Sequence, residues 1–254
     1  MNIQAYLNRI GYLGPLEATP EVLRGLQLAH LYSVPFENLS VARHEPVWLS
    51  IPALFDKIVW RRRGGCCYEL NGLFGSLLQE IGFQVDFLSA RGFDDEGGLS
   101  PEFDHLTLLV RAPGLTQPPW LVDAGFGDSF LEPLRMDLEG EQPQGLRAYR
   151  LAQLEGAWIL WQRNYDGSWE QQFRFTLQPR AFPADFEEMN HYHQTSPASP
   201  FTRQRMCTRA LPEGRITLWD TRLVVTRLGE RSETALVEAD RPAILRECFG
   251  IGLD

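Results

Sequence analysis

The chain has 254 residues, of which 44% are hydrophobic and 22% charged, and its formal net charge is −9. This composition excludes disordered and fibrous proteins, and the acidic balance argues against a general nucleic-acid binder, which needs clustered Lys and Arg. No stretch approaches the roughly 20 apolar residues of a membrane span. Because the first residues lack a charged segment followed by an apolar one, we expect no secretory signal and a cytoplasmic location.

The first third of the sequence predicts helices. In TPEVLRGLQLAH, Thr19 is a good N-cap and Pro20 a good first helical residue, and SIPALFDKIVW predicts a second helix. The clearest helix follows Cys67, because apolar residues recur there at helical spacing up to the stop at Gly82. The recurring residues are Leu70, Leu73, Phe74, Leu77, Leu78 and Ile81.

From Phe83 onwards, short apolar runs separated by Gly, Pro and Asp predict an antiparallel sheet or barrel. The runs FQVDFLSARGF, HLTLLVRA and WLVDAGFG come first, and a hairpin with Asp166-Gly167 in its turn follows. The strands RITLWD and TRLVVTRLGE and a helix in DRPAILRECFG come last. The sequence therefore predicts three successive layers: helices, a β middle and a smaller α/β end.

Two adjacent cysteines, Cys66 and Cys67, lie between the Gly64-Gly65 pair and the clearest helix. A helix N-terminus stabilises a thiolate, and the glycine pair permits a sharp turn that leaves Cys67 open to a cleft. The alternative is that both cysteines fill the core, where free cysteine is common. A disulfide between sequence neighbours is strained, and the absence of a CxxC pair weakens a structural-zinc interpretation.

A histidine and an aspartate are candidates to complete a triad with Cys67. His105 opens the strand HLTLLV, and Asp123 ends the strand WLVD just before GFG. In such a set the imidazole accepts the thiol proton, and the carboxylate fixes the imidazole tautomer. From these residues alone, an unrelated surface His–Asp pair is the alternative.

The segment RGGCCYELN, from Arg63 to Asn71, resembles the active-site signature RGGxCxELN of the arylamine N-acetyltransferases. VPFENL (34–39), DAGFG (123–127) and QTSPASPF (194–201) also resemble motifs of that family, in family order. The resemblance implies an α+β fold with a cysteine-protease-like Cys/His/Asp core. Its parts are a helical bundle (1–84) carrying the nucleophile, an antiparallel β-barrel (85–185) carrying His and Asp, and an α/β lid (186–254).

The same resemblance implies that Cys67 is the acetylated nucleophile and that His105 and Asp123 complete its triad. The implied activity moves an acetyl group from acetyl-CoA to an arylamine or arylhydrazine with ping-pong kinetics, as in xenobiotic metabolism. Acetyl-CoA is thus the expected co-substrate, and no metal is expected. The natural acceptor, the acyl-chain selectivity and the oligomeric state stay open.

Supporting roles follow from the motifs. Glu37 and Arg63 resemble the salt bridge that the family places behind the nucleophile, the alternative being two independent surface charges. Aromatic rings suit a flat arylamine, so Phe36, Tyr68 and Phe126 are candidates for the acceptor pocket, or else ordinary core residues.

The candidates for binding CoA are of two kinds. Gly125 and Gly127 lie in a turn that could present backbone amides to the pyrophosphate. Three basic residues after the QTSPASPF segment could bind the phosphates: Arg203, Arg205 and Arg209. The alternative is that they form a solvated charged face. The pair His191 and His193 lacks the acidic or cysteine partners of a metal site.

The sequence departs from the family pattern in three places. Cys66 occupies a position where an aromatic residue is common, and Ala124 replaces a valine that is usual after the triad aspartate. The sequence also stops soon after FGIGLD, where many bacterial members continue. We expect these differences to affect substrate choice and CoA binding rather than the reaction type.

Other functions use the same residues. An amide synthase of the same family would join a tethered acyl chain to an internal amine, and a transglutaminase-like enzyme or thiol hydrolase would use another acceptor. A binding module without catalysis is disfavoured, because all three triad positions carry competent residue types.

Overall fold

The computed structural model describes residues 1–94, 96–114 and 118–253. Its helices are α1 (Ile3–Ile10), α2 (Pro20–Ser33), α3 (Leu39–Ala42), α4 (Ile51–Phe55), α5 (Cys67–Ile81), α6 (Glu187–Thr195), α7 (Pro200–Arg203) and α8 (Arg241–Phe249). Its strands are β1 (Phe36–Glu37), β2 (Gln84–Gly92), β3 (His105–Arg111), β4 (Trp120–Val122), β5 (Leu134–Arg135), β6 (Gln142–Gln144), β7 (Arg147–Leu154), β8 (Ala157–Arg163), β9 (Trp169–Arg180), β10 (Cys207–Leu211), β11 (Gly214–Leu218), β12 (Arg222–Arg227) and β13 (Glu230–Ala235).

The predicted helices of the first third are confirmed, with the predicted start of α2 and the predicted stop of α5, although α2 continues past the predicted segment to Ser33. Thr19 caps α2 by accepting a hydrogen bond from the Val22 amide, and Pro20 is the first helical residue. Helix α5 ends at Gly82, whose φ of 113° lies in the left-handed region that glycine adopts without strain. SIPALFDKIVW forms α4 and then continues as a π-helical turn, Asp56–Trp60.

Eight antiparallel strands form a nearly closed, barrel-like sheet in the order β5-β4-β3-β2-β9-β8-β7-β6. The two end strands are joined by side chains rather than by a backbone ladder. The Gln142 amide donates to the Arg135 carbonyl and accepts from its N–H, and Gln144 bonds the backbone of Leu131 and Glu132 in the same way. These side-chain amides satisfy edge groups that would otherwise be unpaired.

A second sheet has the order β1-β10-β11-β12-β13. Its first strand comes from the N-terminal part of the chain, since Phe36 and Glu37 pair with Thr208 and Cys207. The α+β class and its three successive parts are confirmed, with α6, α7 and α8 completing the C-terminal part. The boundaries at residues 84 and 185 stay predictions. No helix among the described residues is long and apolar enough to cross a membrane.

Helix α5 packs on one face of strands β2 and β3, and this packing lies in the largest core. The strand alternation sends Leu106, Leu108 and Val110 towards α5, whereas Leu109 and Leu121 belong to the core inside the barrel. Both faces of β3 are therefore buried. Its first residue, His105, lies at the end of the strand that is nearest to the start of α5.

The loop before α5 is fixed by a buried ion pair. Arg63 donates two hydrogen bonds, of 2.9 and 3.1 Å, to the carboxylate of Glu37, and both side chains are almost fully buried. Glu37 also accepts a hydrogen bond from the Leu39 amide. The pair thus links β1 to the chain just ahead of the two cysteines.

Removing one member of this pair is expected to destabilise the protein strongly. Glu37→Ala leaves the Arg63 guanidinium buried without its carboxylate, which costs about 3–5 kcal/mol. Urea denaturation measures the free energy of unfolding, and Glu132→Ala is the matched control because its pair with Arg24 is exposed to solvent. Equal losses of stability in the two variants would contradict this account of the loop.

Candidate active site

Cys67 is the first residue of α5, and Cys66 is its N-cap. The Glu69 carboxylate accepts a hydrogen bond of 3.0 Å from the Cys66 amide and pairs with Lys57 at 2.7 Å, so the first turn is held from two sides. The predicted helix start is confirmed, but Cys67 is only 3% exposed rather than open to a cleft. Its Sγ atom donates towards the carbonyl oxygen of Asp104 at 3.9 Å.

His105 and Asp123 form a short hydrogen bond at the strand ends. Nε2 of His105 lies 2.6 Å from Oδ2 of Asp123, and both side chains are buried. Because an ionised carboxylate can only accept, Nε2 carries the proton and Nδ1 is left as an acceptor. The Cys67 sulfur lies against the backbone on both sides of His105, towards the Asp104 carbonyl and the Leu106 amide. The Cys67 sulfur and the His105–Asp123 pair therefore lie at the same end of β3, and their catalytic role stays a prediction.

Asn71, which the sequence analysis did not single out, joins the cysteine helix to both strands. Its Nδ2 atom donates to the Leu106 carbonyl at 2.6 Å and to Oδ1 of Asp123 at 2.9 Å, while its Oδ1 atom accepts from the Ala124 amide at 2.7 Å. Asn71 follows Cys67 by four residues, which places it one turn further along the same helix face. That spacing within the signature was the available signal.

Three glycines of the motifs, Gly64, Gly65 and Gly125, permit close approach, whereas Gly127 adopts a positive φ of 98°. A Cβ atom on Gly125 would lie 2.8 Å from the Cα atom of Cys67, so only glycine lets the end of β4 meet α5. A Cβ atom on Gly64 would lie 2.0 Å from the Pro35 carbonyl oxygen, and Gly65 faces the Glu69 side chain. Gly64 and Gly65 thus let the loop pass β1 and the first turn of α5.

The electrostatic environment of Cys67 opposes a free thiolate. Burial, and then the hydrogen bond that the Cys67 thiol makes to Cys66, raise the pKa of the Cys67 thiol, whereas a hydrogen bond from the Leu106 amide lowers it. The negative carboxylate of Asp104 raises it further. The helix terminus alone therefore does not ionise this thiol, and a proton acceptor is needed.

The three aromatic candidates lie in different places. The Phe126 ring stands edge-on to His105 with centroids 5.1 Å apart and is partly exposed. Tyr68 has no exposed surface, and its hydroxyl donates to the carbonyls of Phe103 and Asp104. Phe36 is buried against Phe201 of the C-terminal part. Of the three, only Phe126 has a surface that faces open space.

A cleft of about 610 Å³ lies beside Phe126, between the barrel and the second sheet. Gly127 and Asp128 line it, together with the arginines Arg147, Arg215 and Arg231. Desolvation raises the pKa of Asp128, but the ion pairs with Arg215 and Arg147 outweigh this effect and lower that pKa to about 2. The contacts of this carboxylate to the two arginines, 2.6 and 2.8 Å long, connect the barrel to the second sheet.

The arginines suggested by the sequence have other partners. Arg203 donates to the Ala198 carbonyl, and Arg205 pairs with Asp220 and Glu238. Arg209 donates to the carbonyls of Tyr32 and Cys248. These contacts occupy all three side chains within the fold, Arg209 also reaching α2. The arginines that line the cleft are others, and two of them, Arg147 and Arg215, share the Asp128 carboxylate.

Nothing in residues 1–94, 96–114 and 118–253 groups three metal-binding side chains. His191 is exposed on α6. His193 is buried and faces Asp104 and Ser199 instead of His191. The H-x-H pattern therefore separates into two unrelated environments.

The need for a proton acceptor can be tested by alkylation. Since burial raises the pKa of the Cys67 thiol, His105→Ala leaves it protonated at pH 7, and we expect iodoacetamide to react at least about tenfold more slowly. The rate then recovers only well above about pH 8.5, the pKa of an ordinary thiol. The Cys66→Ala background restricts the reaction to one active-site thiol, and mass spectrometry follows it.

His191→Ala is the control for this experiment, because that histidine is exposed to solvent on α6. It is expected to leave the alkylation profile unchanged. Equal alkylation rates at pH 7 with and without His105 would show that the imidazole does not accept the thiol proton.

Comparison with known proteins agrees with this geometry. A family model described as N-acetyltransferase matches residues 19–254. The chain is 33% identical to arylamine N-acetyltransferase 2 of Mus musculus, covering 100% of this chain and 95% of the relative. It is 35% identical to arylamine N-acetyltransferase of Mycobacterium tuberculosis, covering 100% and 90%.

Solved structures agree equally well. The M. tuberculosis arylamine N-acetyltransferase superposes with a TM-score of 0.92 at 35% identity, covering 98% of this chain and 94% of the other. The Mycobacterium marinum enzyme in complex with CoA gives a TM-score of 0.91 at 33% identity, covering 98% and 93%. The chain belongs to the arylamine N-acetyltransferase family, whose members are acetyl-CoA-dependent acyltransferases.

Proposed function

We propose that this enzyme acetylates an arylamine or arylhydrazine in two steps through a thioester on Cys67. The observation that carries the proposal is the His105–Asp123 hydrogen bond of 2.6 Å beside the thiol at the start of α5. A cysteine with an adjacent base oriented by a carboxylate is the arrangement that nucleophilic acyl transfer requires. A cytoplasmic location and a part in xenobiotic metabolism belong to the same proposal.

In the first step, Nδ1 of His105 takes the proton of the Cys67 thiol, and the sulfur attacks the thioester carbonyl of acetyl-CoA. The bond between the acetyl carbon and the CoA sulfur breaks, and the imidazolium returns the proton to that sulfur. The products are acetyl-Cys67 and free CoA thiol. One thioester replaces another, so the step has little thermodynamic cost.

In the second step, the acceptor amine attacks the acetyl carbon on Cys67. His105 takes a proton from the amine and supplies one to the departing sulfur, which restores the thiol and releases the amide. Asp123 stabilises the imidazolium in both steps, and Asn71 holds Asp123 at 2.9 Å. Because CoA leaves before the amine reacts, the kinetics are ping-pong.

The cleft beside Phe126 is the proposed place for both substrates. Its volume of about 610 Å³ suits a large ligand, and Arg147, Arg215 and Arg231 supply positive charge for phosphates. Gly127 contributes backbone to the same wall, whereas Gly125 packs against α5. The Phe126 ring contacts His105, and its exposed side offers a surface on which an aromatic acceptor can stack.

The proposal predicts acetyl-CoA-dependent labelling of a single thiol. Incubation without amine is expected to add one acetyl group, about 42 Da, to the peptide that contains Cys67. Cys66→Ala should keep the adduct, and Cys67→Ser should lose both the adduct and the release of CoA thiol. Intact-protein and peptide mass spectrometry measure the adduct, and a thiol reagent measures free CoA.

The amine distinguishes the alternatives. With an arylamine or hydrazine, the adduct should disappear as the acetylated amine forms, and initial rates should give parallel double-reciprocal plots. Steady release of CoA thiol without any amine would instead indicate a hydrolase. Continued CoA release in Cys67→Ser would refute the covalent mechanism.

A further inference from the structure

A second histidine lies close to the nucleophile and has no part in the proposed chemistry. His193, on α6, is 3% exposed, and its ring packs against Phe201 with centroids 4.7 Å apart. On its other side it approaches Tyr68 and the carboxylate of Asp104, the residue just before His105. His193 therefore connects the C-terminal helix to the strand that carries the triad histidine.

The two nitrogens of His193 have distinct partners. Nδ1 lies 3.0 Å from Oγ of Ser199, and Nε2 lies 3.3 Å from Oδ1 of Asp104. Ser199 already accepts a hydrogen bond from the Phe201 amide as the cap of α7, so its own proton is available to Nδ1. The proton of a neutral imidazole is then on Nε2, where it faces Asp104.

This Ser–His–Asp order does not make a second nucleophile. Ser199 has no exposed surface, and its oxygen caps α7, so no substrate can reach it. The neighbouring charges Lys57 and Glu69 satisfy each other at 2.7 Å. What the arrangement does control is Asp104.

Asp104 affects the Cys67 sulfur through both its backbone and its charge. Its carbonyl oxygen accepts from the Cys67 thiol and from the Tyr68 hydroxyl. It follows Phe103, whose φ of 64° is unusual for a non-glycine residue and must be held by surrounding contacts. Its carboxylate, in turn, opposes negative charge on the sulfur.

The proximity of His193 offsets the negative charge of the Asp104 carboxylate. Burial raises the pKa of Asp104, but the nearby His193 ring, whose Nε2 atom lies 3.3 Å from Oδ1, and the Ser100 side chain outweigh it and lower that pKa. A carboxylate in this position without a cationic or donor partner would be costly and would leave its full charge near the nucleophile.

We propose that His193 is a positioning residue for the nucleophile, holding Asp104 so that its carbonyl stays at the Cys67 sulfur and its carboxylate charge is offset. This inference rests on the proposed function of Cys67. It makes α6 part of the machinery that sets the reactivity of a thiol on α5, without any contact between His193 and substrate.

The test is the rate of a single acetylation turnover, measured by rapid quench and mass spectrometry and normalised to the fraction of sites that become acetylated. His193→Ala is expected to lower the acetylation rate constant about tenfold, with the half-saturating acetyl-CoA concentration changed less than about twofold. A merely structural role would lower the fraction of active sites or the melting temperature, and not the rate per site.

Two further variants separate the contributions. His193→Gln keeps an N–H donor for Asp104 and is expected to stay within about threefold of the wild-type rate. His193→Ala/Asp104→Asn removes the uncompensated charge and should react faster than His193→Ala alone. With Asp104→Asn measured to complete the cycle, the two single effects should not multiply, which requires the two residues to be coupled. His191→Ala, on the same helix, is the matched control and should match the wild type.

Several outcomes would overturn the inference. A wild-type rate per site in His193→Ala, a His193→Gln variant as slow as His193→Ala, or a double variant as slow as the product of the two single effects would each do so. If the wild type itself gives no adduct at Cys67, the proposed function fails instead, so the two failures are distinguishable.

Discussion

One buried amide fixes the geometry on which the site depends. Asn71 contacts the Leu106 carbonyl, the Asp123 carboxylate and the Ala124 amide, so a single residue of α5 registers that helix against both β3 and β4. Because the interior is close-packed, such a network has one arrangement. Gly125, which has no Cβ atom, allows the end of β4 to approach Cys67 closely. The Asn71 hydrogen bonds and this close approach together place the thiol at the ends of the two strands.

Burial of this site has two opposing effects on its chemistry. Excluding water strengthens the His105–Asp123 interaction, yet the same burial raises the pKa of the Cys67 thiol. The thiol therefore stays neutral unless its proton moves to the imidazole, so ionisation is coupled to the triad and not to the bulk pH. A helix terminus contributes, but it does not outweigh desolvation at a residue that is almost completely buried.

The sequence predicted the features that depend on neighbouring residues alone, such as helix caps, periodicity and helix ends. The cap at Thr19, the periodicity of α5 and the stop at Gly82 are such features. The family resemblance pointed to Cys67, His105 and Asp123 as the candidate triad. Contacts between distant segments could not be predicted in this way. The pairing of β1 with β10, the side-chain seam at Gln142 and Gln144, and the role of Asn71 all depend on tertiary packing. The arginines of the cleft likewise converge only in three dimensions.

The two adjacent cysteines have different surroundings: Cys66 faces residues of α6 and α7, whereas the Cys67 sulfur faces the Asp104 carbonyl. Cys66 borders a cavity of about 10 Å³ that is closed by His193 and Phe201, a space for at most about one water molecule. A larger side chain at residue 66 would need the space that His193 and its neighbours fill. The small thiol at residue 66 and the histidine at residue 193 are therefore complementary in size, and replacing one requires the other to move.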